Sequence, residues 1–140
     1  MPDGEATEEG VKKTVVPFRN GIMLSMAAGY AESNGLDVVV IGNHAGEHAM
    51  PPDCSDGFIA SMDAAVVFGT DGKVRIDQPF GDSLKGELVR EGFNLGVAFK
   101  DTYSCYKGGE HHCGNCSTCH DRKDSFAMAG VEDPTIYEEN

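Results

Sequence analysis

The apolar residues of this chain recur at two different spacings, which together predict alternating helices and strands. One helical pattern begins at Asn20, its expected N-cap, and ends at the Asn34-Gly35 turn. We expect its apolar side chains to face the core: Ile22, Met23, Met26, Ala27, Tyr30 and Ala31. A second helix is predicted from its cap, Ser55, to about Phe68, and its expected inward face consists of Phe58, Ile59, Met62, Ala65 and Val66.

Strand-like patterns lie between the helical ones. Residues 37–42 form a continuous β-branched run, which is typical of a strand buried on both faces of a parallel sheet. Residues 74–77 alternate as a second strand should, Val15 and Val16 are expected to end a short third one, and Asp71-Gly72 predicts a turn. The mean sheet has about five or six strands, so we expect part of this sheet to lie outside the chain.

Two further helices are predicted in the second half of the chain. The last one covers residues 116–128 and stops at Gly130. The one before it covers residues 84–95, and three of its side chains are expected to turn inward: Leu88, Val89 and Leu95. The order helix, strand, helix, strand, helix predicts an α/β fold.

Length and charge narrow the function. The 140 residues suit one domain, which we expect over residues 15–140 behind an acidic, flexible leader at residues 1–14. The formal net charge of −12 opposes binding to nucleic acid, whose phosphates require stripes of lysine and arginine. No apolar run suits a membrane span, and the first residues do not form a signal peptide. Clustered cysteines without such a signal predict a cytoplasmic protein. Because the charge opposes nucleic acid, the expected partner is a small molecule or another protein.

Four of the five cysteines lie in one stretch, in the pattern Cys-x7-Cys-x2-Cys-x2-Cys. A Cys-x2-Cys step lets two thiolates converge on one point, so a tetrahedral metal site is expected at Cys105, Cys113, Cys116 and Cys119. Four thiolates suit zinc and leave no coordination position open, which makes such an ion structural. An iron–sulfur cluster, two disulfides or unrelated core thiols are the alternatives. A thiolate could also be replaced by a neighbouring histidine: His111, His112 or His120.

Several segments point to a family. In chain order they are residues 16–25 (VPFRNGIMLS), 41–49 (IGNHAGEHA), 52–54 (PDC), 104–109 (SCYKGG) with the three cysteines that follow, and 129–135 (AGVEDPT). Together they resemble the 7-cyano-7-deazaguanine synthase family over about residues 15–138. The cysteine block is the most specific part of the match.

The resemblance implies an ATP-dependent carbon–nitrogen ligase. Members of that family adenylate the carboxylate of 7-carboxy-7-deazaguanine, ammonia then gives an amide, and a second activation dehydrates the amide to the nitrile, a queuosine and archaeosine precursor. The implied fold is a doubly wound parallel sheet of the adenine-nucleotide α-hydrolase (PP-loop) type with a helical, zinc-binding carboxyl-terminal segment. The implied cofactors are one structural zinc, and ATP with magnesium as co-substrate.

One part of the family pattern does not occur in the 140 residues. Family members begin with a strand and a phosphate-binding loop of the form Ser-Gly-Gly-x-Asp-Ser, whose backbone N–H groups meet the pyrophosphate. The chain therefore resembles the carboxyl-terminal portion of the family, and we expect a homo-oligomer or a complementary chain that supplies the loop. Smaller departures are Glu47, Pro51 and Tyr103, where the family has Asp, an aromatic residue and Trp.

The resemblance also suggests residues that bind substrate or nucleotide. Arg19 and Asn20 fall where the family has an Arg-Asn pair, and a guanidinium suits a carboxylate or phosphate; the alternative is a surface arginine beside a helix cap. His44 and Asp53 lie in the loop after the best strand, where open α/β sheets bind ligands. Such a loop also satisfies its own backbone. Lys107, beside the cysteines, is expected to reach a phosphate or to be solvated.

Two weaker assignments concern the same loop. A metal at His44, Glu47 and His48 is a minor alternative. Cys54 is a candidate nucleophile, but a buried, apolar role is favoured because no base is identified near it.

Two functions remain open at this stage. The chain is either the carboxyl-terminal part of a 7-cyano-7-deazaguanine synthase, active with the missing part, or a catalytically inactive, zinc-stabilised module that binds a deazapurine or a partner protein. The missing phosphate loop favours the second function for the isolated chain. The retained residues at 19–20 and 44–53 favour the first, because a purely structural zinc module has no use for them.

Overall fold

The structure is a computed structural model that describes residues 15–46 and 51–138. The chain divides into two units. The α/β unit comprises Val15–Ala45 and Met50–Asp82, and the cysteine unit contains Ser83–Asn140. The leader predicted at residues 1–14 lies outside the described residues. No helix among the described residues has both the length and the apolar character that a membrane span requires.

The α/β unit contains two helices, α1 (Arg19–Ser33) and α2 (Asp56–Gly69), and two strands, β1 (Val38–Val40) and β2 (Arg75–Asp77). The strands pair in parallel, with Val39 opposite Ile76. Parallel neighbours cannot be joined by a tight turn, so α2 forms the crossover between them. A single 3₁₀ turn, Pro52–Cys54, precedes α2. This order confirms the α/β prediction.

The sheet is as thin as the sequence suggested, with two strands among the described residues. The prediction that the first strand is buried on both faces is wrong, because Val40 is 62% exposed, while Val39 and Ile41 are the residues of this run that pack against the core. Val15 and Val16 do not form a strand. Val16 instead accepts a hydrogen bond from the backbone N–H of Arg19, so this segment is the turn that leads into α1.

The buried face of α1 is not the predicted one. Its buried residues are Gly21, Leu24, Ala28 and Ala31. Of the predicted set only Ala31 is buried, and the large apolar residues are exposed: Ile22, Met23, Met26 and Tyr30. The small side chains let the helix approach the sheet closely, which leaves the bulky ones on the opposite side.

The remaining boundaries of this unit follow the prediction closely. Asn34 is the C-cap of α1, and Gly35 has a left-handed φ of 68°. The Ser55 hydroxyl accepts a hydrogen bond from the N–H of Phe58, which confirms it as the cap of α2. Asp71 and Gly72 form the expected turn. The α2 face is also as predicted except for Ala65, which is exposed; the others pack into the core cluster of Ile59, Val66, Phe58 and Met62.

The cysteine unit contains α3 (Lys85–Asn94), a 3₁₀ turn (Phe99–Asp101) and α4 (Ser117–Ala129). The helices pack closely, since a Cβ at Gly86 would lie 2.7 Å from the Cβ of Met128. Gly130 ends α4 with a φ of 60°, as predicted. Val89 is buried with Phe126 and Ala129. Leu95, predicted to point inward, is 74% exposed because it lies beyond the last turn of α3.

Candidate functional site

The four clustered cysteines converge on one point in the cysteine unit. Their Sγ atoms all lie within 4.8 Å of one another. Cys116 and Cys119 are 3.5 Å apart, and the pairs Cys105–Cys116 and Cys113–Cys119 are each 4.0 Å apart. Around one ion with bonds of about 2.3 Å, tetrahedral geometry places sulfur atoms about 3.8 Å apart. The cage therefore has the dimensions of a single tetrahedral ion, and all four thiols are buried.

The geometry argues against the alternatives for these cysteines. A disulfide requires sulfur atoms about 2 Å apart, and all five cysteines are free. A multi-iron cluster distributes its thiolates over different irons, which spreads them further than this cage allows. The cluster contains no histidine: His111 is exposed, and His112 Nε2 accepts a hydrogen bond from the N–H of Ser104 at 3.0 Å. His120 Nε2 is buried without a partner among the described residues.

Backbone N–H groups around the cage point at the sulfur atoms. Lys107 and Cys113 donate to Cys105 Sγ at 3.4 and 3.5 Å, and Asn115 and Cys116 donate to Cys113 Sγ at 3.5 and 3.4 Å. Gly114, with a φ of 71°, permits the bend that aims two of them. Such donors stabilise thiolates, which are the form that a metal binds.

The pKa values of three of the thiols show how unequal they are without an ion. Burial alone raises the pKa of a thiol, but at Cys105 the N–H groups of Cys113 and Lys107 outweigh it and lower the pKa. At Cys116 burial is likewise outweighed, by the Thr118 hydroxyl and backbone donors, and the pKa falls to about 6. At Cys119, burial and the neighbouring Cys116 raise the pKa to about 12. One proton is therefore held firmly inside the cage.

We expect metal uptake to expel that proton. Metal-bound cysteine is a thiolate, so at pH 7.5 the binding of Zn²⁺ should release at least one proton per ion. Calorimetric titration in two buffers of different ionisation enthalpy measures the number. Cys119→Ser lacks one of the four ligands, so it should bind little zinc and release no matching number of protons. Proton-neutral uptake by the unaltered chain would contradict the protonated Cys119.

A cleft of about 310 Å³ lies in the α/β unit, at the carboxyl end of β1. Such an edge is where open α/β sheets bind ligands, and the volume lies at the small end of the range for small-molecule sites. The cleft brings together Arg19, Asn20 and His44, three of the five residues predicted to bind substrate or nucleotide. Its full lining consists of Arg19, Asn20, Ile41, Gly42, Asn43, His44 and Cys54.

Asp53 fixes one wall of this cleft through Asn20. The Asp53 carboxylate accepts a hydrogen bond from the backbone N–H of Asn20 at 3.0 Å, and the Asp53 carbonyl accepts one from Asn20 Nδ2 at 2.9 Å. A buried carboxylate thus satisfies an N–H in the first turn of α1. The prediction of Asn20 as the N-cap is wrong, because Phe18 occupies that position and Asp53 supplies the acceptor. Whether Asp53 also contacts substrate stays a prediction.

The entry to α1 is strained where the cleft begins. Phe18 adopts a left-handed conformation with a φ of 55°, which is rare for a non-glycine residue. Its ring packs edge-on against Phe58 at 5.6 Å and occupies the space where a Cβ at Gly21 would lie, 2.4 Å away. Strain of this kind is often found at binding sites. Here Phe18 directly precedes Arg19, which lines the cleft.

The other predicted binding residues have different surroundings. Arg19 is exposed at the cleft. His44 Nδ1 lies 2.9 Å from the carbonyl of Ala45, which favours a proton on Nδ1 and makes Nε2 an acceptor. Lys107 belongs to the cysteine unit and is exposed there. The alternative metal site with His44 cannot be placed, because its other two ligands, Glu47 and His48, lie outside the described residues.

Two cleft residues carry information that no sequence motif gave. Cys54 Sγ accepts a hydrogen bond from Asn20 Nδ2 at 3.2 Å, and burial, together with Asp53, raises its pKa. Cys54 is therefore an uncharged thiol at neutral pH, which supports the non-nucleophilic role. Asn43 donates through Nδ2 to Gln78 at 2.8 Å, while its Oδ1 is buried without a partner among the described residues. It lies directly after the first strand and within the segment 41–49 that resembles the family, but it was not predicted as a binding residue.

Comparison with known proteins points to one family. The sequence profile of one family, described as queuosine biosynthesis protein QueC, matches residues 1–130, and so includes residues 1–14, where the motifs gave no resemblance. A 7-cyano-7-deazaguanine synthase of Porphyromonas gingivalis is 51% identical over 138 residues, which are 99% of this chain and 63% of the relative. Synthases of the same name from Brucella anthropi and Desulfotalea psychrophila are 43% and 46% identical, over 61% and 63% of their lengths. The chain thus spans about 60% of the length of the curated relatives it matches.

Proposed function

We propose, for a chain that belongs to the QueC family of queuosine biosynthesis proteins, that it forms the substrate-holding and metal-binding part of a 7-cyano-7-deazaguanine synthase. In this reaction 7-carboxy-7-deazaguanine, ammonia and ATP give the nitrile. The observation that carries the proposal is the cleft at the carboxyl end of β1, because it joins Arg19 and Asn20 to the loop after the strand. The setting we propose is the cytoplasm, where thiols remain reduced.

The cleft residues suit a carboxylated purine analogue. Arg19 is exposed and offers a planar fork of donors for the carboxylate or for a phosphate of the nucleotide. Two hydrogen bonds hold the neighbouring Asn20 to Asp53, so the backbone that carries the Arg19 side chain is fixed. We assign the heterocycle to the side of His44, whose ring nitrogen Nε2 is an acceptor for its N–H groups.

Zinc is the ion we propose for the cage of Cys105, Cys113, Cys116 and Cys119. All four positions of the tetrahedron are filled by sulfur, so the ion supplies no site for chemistry and serves to hold the loop before α4 in place. The proposed fold of the complete enzyme is the doubly wound PP-loop type. Lys107, exposed on this loop, is proposed as a contact to phosphate.

ATP with magnesium is the proposed co-substrate. The 140 residues contain no Ser-Gly-Gly-x-Asp-Ser loop to hold the phosphates. We propose that turnover needs the part of the family that this chain does not match, whether it is joined to this chain or carried by a complementary chain. A homo-oligomer is the other assembly compatible with the thin sheet.

The test is a reconstitution of turnover. The chain, loaded with zinc, is mixed with the part of the Porphyromonas gingivalis relative that lies outside the match, about 80 residues because the matched 138 are 63% of it. We expect AMP and the nitrile to appear, by chromatography and mass spectrometry, only when both parts are present. AMP formation by this chain alone would show that the phosphate site is misplaced.

A second candidate function needs only the cleft and the cage of cysteines. The chain would then be a zinc-stabilised module that binds the deazapurine, or a partner protein, and does not use ATP. Calorimetric binding of 7-carboxy-7-deazaguanine separates the two. Binding that is unchanged by the second part, with no AMP in any mixture, supports the binding module over the enzyme.

A further inference from the structure

The last described segment, residues 131–138, runs along the cysteine unit as an extended strap. Its residues alternate between half-buried and exposed, which is the two-residue period of an extended chain lying on a surface. The half-buried side chains are those of Val131, Asp133, Thr135 and Tyr137. The strap is thus packed by every second residue.

The strap is tied to the metal-binding loop by its backbone. The N–H of His112 donates to the carbonyl of Ile136 at 3.2 Å, and the N–H of Glu138 donates to the carbonyl of His112 at 2.8 Å. Both bonds flank Tyr137, whose ring packs against the cysteine cluster. His112 directly precedes Cys113, so a movement of the strap acts on a residue next to a thiolate.

Arg122 holds the strap from the side of α4. Its guanidinium is buried, with only 7% of the side chain exposed, and it lies one turn after Cys119. Arg122 Nε donates to the Thr135 hydroxyl at 2.7 Å and lies 3.4 Å from an Asp133 carboxylate oxygen. The other guanidinium nitrogens donate to Thr102 at 2.9 Å and to the carbonyl of Phe99 at 3.1 Å. If one of these partners were lost, the buried guanidinium charge would be poorly solvated, so the arrangement keeps its geometry.

Asp133 is the residue of the strap that pairs with Arg122, and it has partners within the strap as well. It accepts hydrogen bonds from the Tyr137 hydroxyl at 2.6 Å and from the N–H of Thr135 at 3.1 Å. Lys123 closes the opposite side, because its ammonium donates to the carbonyl of Gly114 at 2.9 Å and lies 4.3 Å from the centre of the Tyr137 ring. Strap, loop and α4 are therefore joined by one network.

We propose that Arg122 and Asp133 are positioning residues of the metal site, which keep the strap closed against the cage and so set how fast the ion leaves. The cage sulfurs are buried, so an ion leaves only when a neighbouring segment opens locally. Besides its two backbone hydrogen bonds to His112, the strap is held closed by this ion pair and the hydrogen bonds around it. The inference rests on the metal site proposed above.

The test measures metal release in the zinc-loaded chain. A chromophoric chelator in excess reports the release rate, and circular dichroism checks that each variant is folded. Asp133→Asn removes the charge that Arg122 faces and should speed release about tenfold, the factor that corresponds to a hydrogen bond between charged groups. Tyr137→Phe keeps the ring on the cage, loses only the hydroxyl bond to Asp133, and should speed release about threefold. Glu132→Gln removes the same charge from the neighbouring exposed residue and should leave the rate unchanged.

The outcomes are distinct. If Asp133→Asn and Tyr137→Phe bind zinc, remain folded and release it at the rate of the unaltered chain, the strap does not gate the site and the inference is overturned. If Glu132→Gln accelerates release as much as Asp133→Asn, net charge and not the network is responsible, and it is overturned equally. If the unaltered chain takes up no zinc, the proposed metal site fails as well.

Discussion

Replacing Cys116 by serine is expected to remove the metal and to lower the free energy of unfolding by about 4 kcal/mol or more, among the largest single-residue effects. Cys116 is completely buried and lies 3.5 Å from Cys119 and 4.0 Å from Cys105. A site of this kind does not exist in the unfolded chain, so metal-binding free energy is folding free energy. Serine leaves three buried cysteines without the ion that joins them.

Urea denaturation, with and without a chelator, measures this effect. Cys54→Ser is the matched control, because Cys54 is a free, half-buried cysteine outside the cage. It should cost about 1 kcal/mol or less, because the serine hydroxyl can also accept the hydrogen bond from Asn20 Nδ2. The chelator should destabilise the control and the unaltered chain alike, and should change Cys116→Ser little. Equal losses in both variants would argue that the cage binds no ion.

Arg19→Ala is expected to abolish turnover in the reconstituted enzyme while the stability of the chain changes by less than about 0.5 kcal/mol. Arg19 is exposed, so its removal leaves no cavity in the core. Its proposed contact to the carboxylate or phosphate is charged and directional, and the loss of one such donor lowers rates by about 10²–10³. Lysine retains the charge but not the fork, so Arg19→Lys should be intermediate.

The control for this variant is Arg75→Ala. Arg75 is also an exposed arginine of the α/β unit, 3.7 Å from its neighbour Asp77 and not part of the cleft. In Arg75→Ala, both the turnover rate and the Michaelis constant for the deazapurine carboxylate should be unchanged. If both variants lose activity equally, Arg19 has no specific role in the cleft.

Local signals in the sequence were sufficient wherever the determinant is local. Helix ends at Gly35 and Gly130 follow from residues that tolerate a left-handed φ, and the cap at Ser55 follows from a hydroxyl that meets the backbone three residues later. The cage of four cysteines could likewise be derived from spacing, because two short steps leave the thiolates little freedom.

The sequence failed where the choice depends on distant residues. Helix α1 has apolar side chains nearly all round, so periodicity could not select between the face of Leu24 and Ala28 and that of Met26 and Tyr30. Asp53 accepts a hydrogen bond from the N–H of Asn20, which lies 33 residues away in the chain, so no local pattern could indicate this role. Asn43 lies in the segment 41–49 that resembles the family, but no local pattern indicated that it lines the cleft.

That contact between Asn20 and Asp53 also affects the order in which the chain folds. Bringing together two residues so far apart in sequence costs loop-closure entropy, which is recovered only after the intervening strand and turn are formed. The first turn of α1 is therefore completed late, although the rest of that helix is local and fast. We therefore expect the cleft, built on that turn, to form late in folding, so that a ligand bound there should slow unfolding more than it accelerates folding.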